Sequence, residues 1–499
     1  MSVVPGTRPT YGNWRRPRSA GLGRLGTVST AALGVAMVVT FIVAAMNMFA
    51  GLTLMVVFTG AFLPLVIHDR WGRTGYERLG DVVRWKLHRN RRGHLYVAGP
   101  LSRTPSVECR LPGLAARLEV FDAQDAIGRP FVVLHHPRPG HVATVLECSP
   151  PGVGLIDDDT IDGWVANWGA WLAELGQESG VVAAQVVVET RPDPGVELRR
   201  SVTKRLSPDG PEFAHQVMQN IVEILPAGSA STRVFVTLTW GRSRVGGGGR
   251  RALDDVVLEI GQRLPELCQT LSLTGAGTAR PIPEERLAAA VRTAFDPSII
   301  PTLEESGESI EWANAGPVQA EATSGVYRHD SAVSVSWVMG QAPTGVVRSN
   351  VLQQLLRPSP DVAMKRITLL YRPYTPARAA QIVDQDRRIT EFQARQKRMG
   401  RARDVMAIRI ADRTAEEEAA GAGLLRFGMI ATATMWNDTG KVDRDTINRG
   451  VNVVEQLGGA ARIRFRRAWR MQESTFLAGL PLGIVLPAHV SVPKEWRDL

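Results

Sequence analysis

The residues that could do chemistry fall into a few groups, and most lack the partners that chemistry needs. A glycine-rich stretch, Gly241-Arg242-Ser243-Arg244-Val245-Gly246-Gly247-Gly248-Gly249-Arg250-Arg251, lies between a strand-like and a helix-like run, where a phosphate loop would sit. It lacks the Lys-Ser/Thr pair that holds phosphate and magnesium, so it reads as a loop without nucleotide chemistry. His135, His136 and His141 gather round a proline turn, with no HExxH or cysteine pair to complete a metal site. Asp157, Asp158, Asp159 and Asp162 open a helical run without the spacing of a calcium loop. They read as first-turn carboxylates, favoured by free N–H groups and the helix dipole. Cys109, Cys148 and Cys268 form no CxxC pair, which argues against a disulfide framework or a cysteine zinc site. No catalytic residue, cofactor or metal ligand is expected, and the chain does not read as an enzyme.

Other residues suit contact surfaces. Trp164, Trp168 and Trp171 share one face of a predicted helix; core packing is the default, and a partner surface is the alternative because Trp is enriched in interface hot spots. Tyr11, Trp14, Arg15, Arg16 and Arg18 precede a long apolar stretch, and Trp71, Tyr76, Arg84 and Trp85 follow it. Tyr76, Leu79, Val83 and Leu87 recur at helical spacing with arginines between them. A basic amphipathic helix of this kind suits an anionic lipid surface, with nucleic-acid phosphate as the alternative. Near the other end, Arg462, Arg464, Arg466, Arg467 and Arg470 crowd together; on a strand the first three share a face.

The elements that must position these residues begin with the apolar stretch. No Lys, Arg, Asp or Glu occurs from Leu25 to Ile67. One helix of that length would run about 65 Å, twice the roughly 30 Å hydrocarbon core, so two spans are expected near Thr27–Met46 and Leu52–Ile67. A cleaved signal peptide, with one apolar region of about 7–15 residues, does not fit. Both flanks are positive, which predicts a multi-pass inner-membrane protein with both termini cytoplasmic. The formal charge of +10 has the same origin. Residues 1–110 hold fifteen Lys/Arg against four acids, a net +11 that leaves −1 for residues 111–499.

Beyond residue 110, strand-like and helix-like runs alternate. Strands are predicted at Phe131–His135, Val142–Leu146, Val181–Glu189, Arg233–Trp240, Val333–Met339, Lys365–Tyr371, Arg426–Thr434 and Ala461–Phe465. Helices are predicted from Asp159 or Thr160 through the three tryptophans, and near Leu253–Leu271, Glu284–Ala294 and Asp443–Leu457. The fold class is therefore α+β: an N-terminal transmembrane helical hairpin followed by two cytoplasmic α+β domains with largely antiparallel sheets. The expected divisions are a basic segment 1–26, a hairpin 27–67, a juxtamembrane segment 68–109, a first domain 110–225 and a second region 226–499. The second region includes a charged helical segment, 375–420, whose halves of opposite charge could pair about Gly400.

Tyr11-Gly12-Asn13-Trp14-Arg15-Arg16-Pro17-Arg18-Ser19 directly before the apolar stretch resembles the start of a family of actinobacterial membrane proteins associated with conjugation and type IV secretion-like systems. Val181–Asp193, Arg233–Gly241, Glu417–Gly428, Thr432–Thr434 and Leu480–Leu486 reinforce the likeness. The resemblance implies a PrgI-like anchor before a region similar to the non-ATPase N-terminal part of conjugation ATPases. It implies a non-catalytic structural or docking subunit in a membrane protein complex, with a motor ATPase as partner. An EccE-like subunit of type VII protein secretion and a membrane-tethered DNA-binding protein are the alternatives.

Overall fold

The computed structural model describes residues 11–12, 27–66, 69–99, 102, 108–152, 154, 156–178, 180–206, 210–224, 230–242, 249–343, 346–359, 362–396, 410–417, 423–436 and 442–489. The chain forms two compact units. One comprises Asn13–Gly93, Thr375–Leu424 and Ser491–Leu499; the other comprises Met1–Gly12, His94–Tyr374 and Leu425–Val490.

In the smaller unit, α1 (Thr27–Met46) and α2 (Met48–Val66) form a helical hairpin. Asn47 sets the turn: its side-chain oxygen accepts from the backbone N–H of Phe49 and Ala50, at 3.0 and 3.2 Å, and so satisfies two free donors of α2. Gly51 lets the helices touch, since a Cβ there would lie 2.4 Å from Ala44. Then α3 (Gly75–Asn90) starts with a capping box, Thr74 with Glu77, which fixes its first turn.

The transmembrane hairpin expected at 27–67 is not upheld, because among the described residues no helix is long and apolar enough to cross a membrane. The placement as a multi-pass inner-membrane protein with both termini cytoplasmic falls with it. Lack of charge over a long stretch signals paired apolar helices here, and many of their side chains, including Phe41, Ile42, Met46 and Phe49, point outward.

The charged segment forms a helix, Pro376–Gln396, and a second one at 410–417. Arg387 and Asp412 pair across them at 3.3 Å, an opposite-charge contact of the kind the sequence suggests. Ala379, Val383, Thr390 and Ala411 are buried, so apolar contact as well as charge seats these helices. Gly400, Val405 and Ile408 lie outside the described residues.

The larger unit is built on one antiparallel sheet of thirteen strands. In chain order these are β1 (Leu95–Val97), β2 (Glu119–Gln124), β3 (Pro130–His136), β4 (His141–Ser149), β5 (Val181–Pro192), β6 (Ala230–Gly241) and β7 (Thr278–Pro281). Then come β8 (Gln319–Ala322), β9 (Tyr327–His329), β10 (Ala332–Gln341), β11 (Met364–Pro373), β12 (Leu425–Trp436) and β13 (Arg464–Arg467). The main path runs β1-β8-β9-β10-β12-β11-β5-β6-β4-β3-β2, with β13 beside β10 and β7 beside β4. The two separate α+β domains are therefore corrected to one continuous sheet, because β11 pairs with β5 across residues 184–190 and 365–371.

That sheet is a duplication. In the first half β4 pairs with β6 and β7, and β6 with β5; in the second β10 pairs with β12 and β13, and β12 with β11. Registers match as well: Gln185 opposes Thr237 as Arg366 opposes Thr432. The halves meet about a local two-fold. Ala184 pairs with Tyr371 and Thr190 with Lys365, so the strands exchange places about the pair Val187–Thr368.

One face of the sheet is apolar, with a core for each half. In the first half, α4 (Asp158–Gln177) and α7 (Leu253–Leu271) cover Val186, Val236, Leu238, Trp240 and Leu146. In the second, α9 (Arg444–Ala460) covers Ile367, Ala431, Ala433, Met435 and Trp337. The opposite face carries buried polar side chains, because it must satisfy an irregular segment laid across it. Gln185 Nε2 donates to the carbonyls of Ala478 and Leu480 at 2.9 and 2.8 Å, and Thr368 Oγ1 to that of Gly479 at 2.8 Å. Gly483, at φ +65°, brings this segment down onto the sheet; a Cβ there would lie 2.6 Å from Ala143. On this face too, Arg366 donates through Nε and Nη2 to Glu189 Oε2 at 2.9 and 2.7 Å, both residues almost fully buried, and stands 5.5 Å from the ring of Phe476.

Arg366 and Glu189 lie directly opposite each other across the β5–β11 seam. Removing one partner leaves a buried charge, so Glu189→Gln and Arg366→Met are each expected to cost about 3–5 kcal/mol in denaturant unfolding. The double change Arg366→Met with Glu189→Leu should cost less than either single change, and a double variant as unstable as the two single losses added would contradict this.

Candidate docking surface

The tryptophan helix α4 is inserted between β4 and β5; among the described residues the same connection in the second half holds the two-residue strand Val346–Val347 and short helical turns at Ser349–Leu352 and Gln353–Leu356. Helical spacing turns the three tryptophans toward the sheet to different depths. Trp171 is buried in the core, and Trp168 stacks on it with centroids 5.0 Å apart and meets Tyr371 edge-on at 5.6 Å. Trp164 lies half-buried against Gly275, whose φ of +78° and missing Cβ let the indole approach its backbone. Beside these rings opens a cleft of about 220 Å³, lined by Pro150, Ile161, Trp164, Val165, Trp168 and Thr274. Trp171 is thus a core residue, while Trp164 and Trp168 are only partly buried.

A second apolar surface lies on the insertion between β5 and β6, formed by α5 (Val196–Arg205) and α6 (Glu212–Ile224). Phe213, Val217, Ile221 and Ile224 line one stripe of α6 and are all exposed, Phe213 by 76% and Ile224 by 71%. Their spacing of four, four and three residues is the mark of an amphipathic helix, legible in the sequence but outweighed there by the tryptophans. In the second half the same connection carries the charged helices described above.

Of the other contact candidates, Tyr11 and Gly12 form a short antiparallel pairing with Val347 and Val346. Trp14, Arg15, Arg16 and Arg18 lie outside the described residues, as do positions 243–248 of the glycine-rich stretch. Trp71 is half-buried under the Arg70 guanidinium, 5.0 Å from its ring. Tyr76, at the start of α3, hydrogen-bonds through its hydroxyl to the carbonyl of Ala61. Arg84 is exposed on α3 and Trp85 packs beside His88.

The histidine cluster and the aspartates make no metal centre: among the described residues, no group of three or more His, Cys, Asp or Glu is placed to hold a metal ion. Asp158 and Asp159 sit in the first turn of α4. The histidines hold the fold. His136 Nε2 meets the Leu482 carbonyl at 2.8 Å, while His135 lies 2.7 Å from Glu119 and 3.0 Å from Arg242. In the second half His329 occupies the place of His136, at the end of the matching hairpin, and its Nδ1 meets the Phe295 carbonyl at 2.6 Å. Phe295 ends α8 (Glu284–Phe295) of the first half.

Residues 18–77, which include α1 and α2 and end within α3, match the model of a domain of unknown function, DUF8461. No curated protein matches the chain.

Burial holds His136, His141 and His329 each down to about 4. The unfolded chain takes up these protons near pH 6.5, so their contribution to stability is complete above that value and is lost as pH falls toward 4. Each pH unit is worth about 1.4 kcal/mol per group. Burial pushes Glu473 up to about 7, and its effect runs the other way, lowering stability as pH rises from about 4.5 to 7. Three groups outweigh one, so the melting temperature should fall from pH 6.5 to pH 5, and less steeply in His141→Gln. A melting temperature that is flat or rising over that interval would contradict the assignment.

Proposed function

We propose that this chain is a non-catalytic docking subunit of a conjugative, type IV secretion-like transfer apparatus, and that it holds the motor ATPase of that apparatus. The observation that carries the reading is the exposed stripe of α6. Four large apolar side chains on one helix face, borne on an insertion of a rigid sheet, suit a groove-binding contact with a partner protein. The tryptophan-lined cleft on α4 adds a pocket for an apolar anchor. The sequence resemblance supplies the class of apparatus, and the lack of a Lys-Ser/Thr pair in the glycine-rich stretch supports a chain that serves a motor rather than acting as one.

A photo-crosslinker placed at Val217 in the native host, followed by mass spectrometry, tests this. The expected product joins this chain to a motor ATPase, and Phe213→Asp with Ile224→Asp should reduce its yield about tenfold or more, as loss of interface anchors does. Products only within the chain would overturn the reading, as would a yield insensitive to the two substitutions.

A further inference from the structure

Residues 462–470 hold five arginines and no acid, in a stretch of chain, 111–499, whose net charge is −1. Arg462, Arg464 and Arg470 are exposed, and so is Trp469, by 49%. The indole is packed in place. Arg467 lies 4.6 Å from its centroid, and Gly325 lies beneath it, where a Cβ would come within 2.7 Å of the ring. Arg467 Nε and Nη2 donate to the Gly325 carbonyl at 3.0 and 2.7 Å. The backbone around the ring is pinned as well, with Ala468 N–H on the Ser336 carbonyl and Arg470 N–H on that of Ser324.

Two further observations set this patch apart. Arg462 and Arg470, which bracket β13, both have left-handed backbones, at φ +55° and +65°. Only four non-glycine residues among those described do so. Glycine would be easier at either place, so long cationic side chains are kept there at a conformational cost. The duplication supplies the second contrast. In the first half Arg280 of β7 opposes Glu147, which also pairs with Arg233 and Arg286. In the second half Arg466 of β13 opposes Val338, an apolar residue at the register position of Glu147.

We infer that β13 and the turn after it bind single-stranded nucleic acid, with a base stacked on Trp469 and phosphates held by Arg462, Arg464 and Arg470. A rigid, half-open indole among guanidinium groups offers a stacking platform and backbone contacts together, which a purely basic surface does not. The inference is independent of the docking reading, because it involves neither α6 nor the α4 cleft.

The full-length protein is titrated against fluorescein-labelled oligothymidylate by anisotropy at about 50 mM salt and above. Binding that weakens steeply with salt is expected. Trp469→Ala should lower affinity about tenfold or more, and the logarithmic salt slope should be unchanged. Arg462→Gly with Arg470→Gly relieves two left-handed arginines, so it should hold or raise the melting temperature while weakening binding and reducing the salt slope by about 1.4. No binding by the wild-type protein at low salt would overturn the inference. So would unchanged affinity in either variant, or binding to phosphatidylglycerol vesicles but not to the oligonucleotide.

Discussion

Each half of the large sheet is pinned by a carbonyl that belongs to the other. His136, in the first half, bonds to Leu482 beyond the last strand of the second; His329, in the second, bonds to Phe295 at the end of the first. These crossed contacts demand a polar sheet face, and the strands supply one. Gln185, Thr368 and Thr239 reach carbonyls of residues 478–483, and the Arg366–Glu189 pair closes the seam between them. Irregular backbone can be buried only where its polar groups find partners, so the alternation of Thr, Gln and Arg with apolar residues is what allows this segment to cover the sheet. Among the described residues Glu189 Oε1 and Arg366 Nη1 have no hydrogen-bond partner, so the seam is specific at some expense of stability.

Duplication explains where the molecule is free to differ. Strand order and register agree in the two halves because each must build its own apolar core and meet its twin about the Val187–Thr368 pair. The connections carry no such constraint, and they have diverged. Between the paired strands lie α4 with its cleft in one half and short turns in the other, α5–α6 in one and charged helices in the other. Surfaces suited to partners therefore sit on insertions, while the duplicated frame holds them in place.

Much of this was legible in the sequence. Seven of the eight strands predicted lie within observed strands, the eighth, Ala461–Phe465, being shifted to Arg464–Arg467, and the tryptophan face has the helical spacing expected. The duplication left traces: Arg191-Pro192 and Arg372-Pro373 end matching strands, and Thr237-x-Thr239 answers Thr432-x-Thr434. What local pattern could not supply is the pairing of β5 with β11, whose partners lie far apart in the chain. Without it, one sheet reads as two domains. The apolar stretch misled for a different reason. Absence of charge records that helices are apolar and does not by itself make them spans: among the described residues no helix is long and apolar enough to cross a membrane.

If the crossed histidines and the buried pair fasten the halves, the larger unit unfolds as one body. Native-state hydrogen exchange with mass spectrometry reads this directly, peptide by peptide. Peptides from β5, β6, β11 and β12 should share one opening free energy, equal to that of global unfolding, and lose it together in Glu189→Gln. Peptides from residues 119–241 that open at a free energy distinct from those of residues 332–436 would show two independent domains and contradict the account.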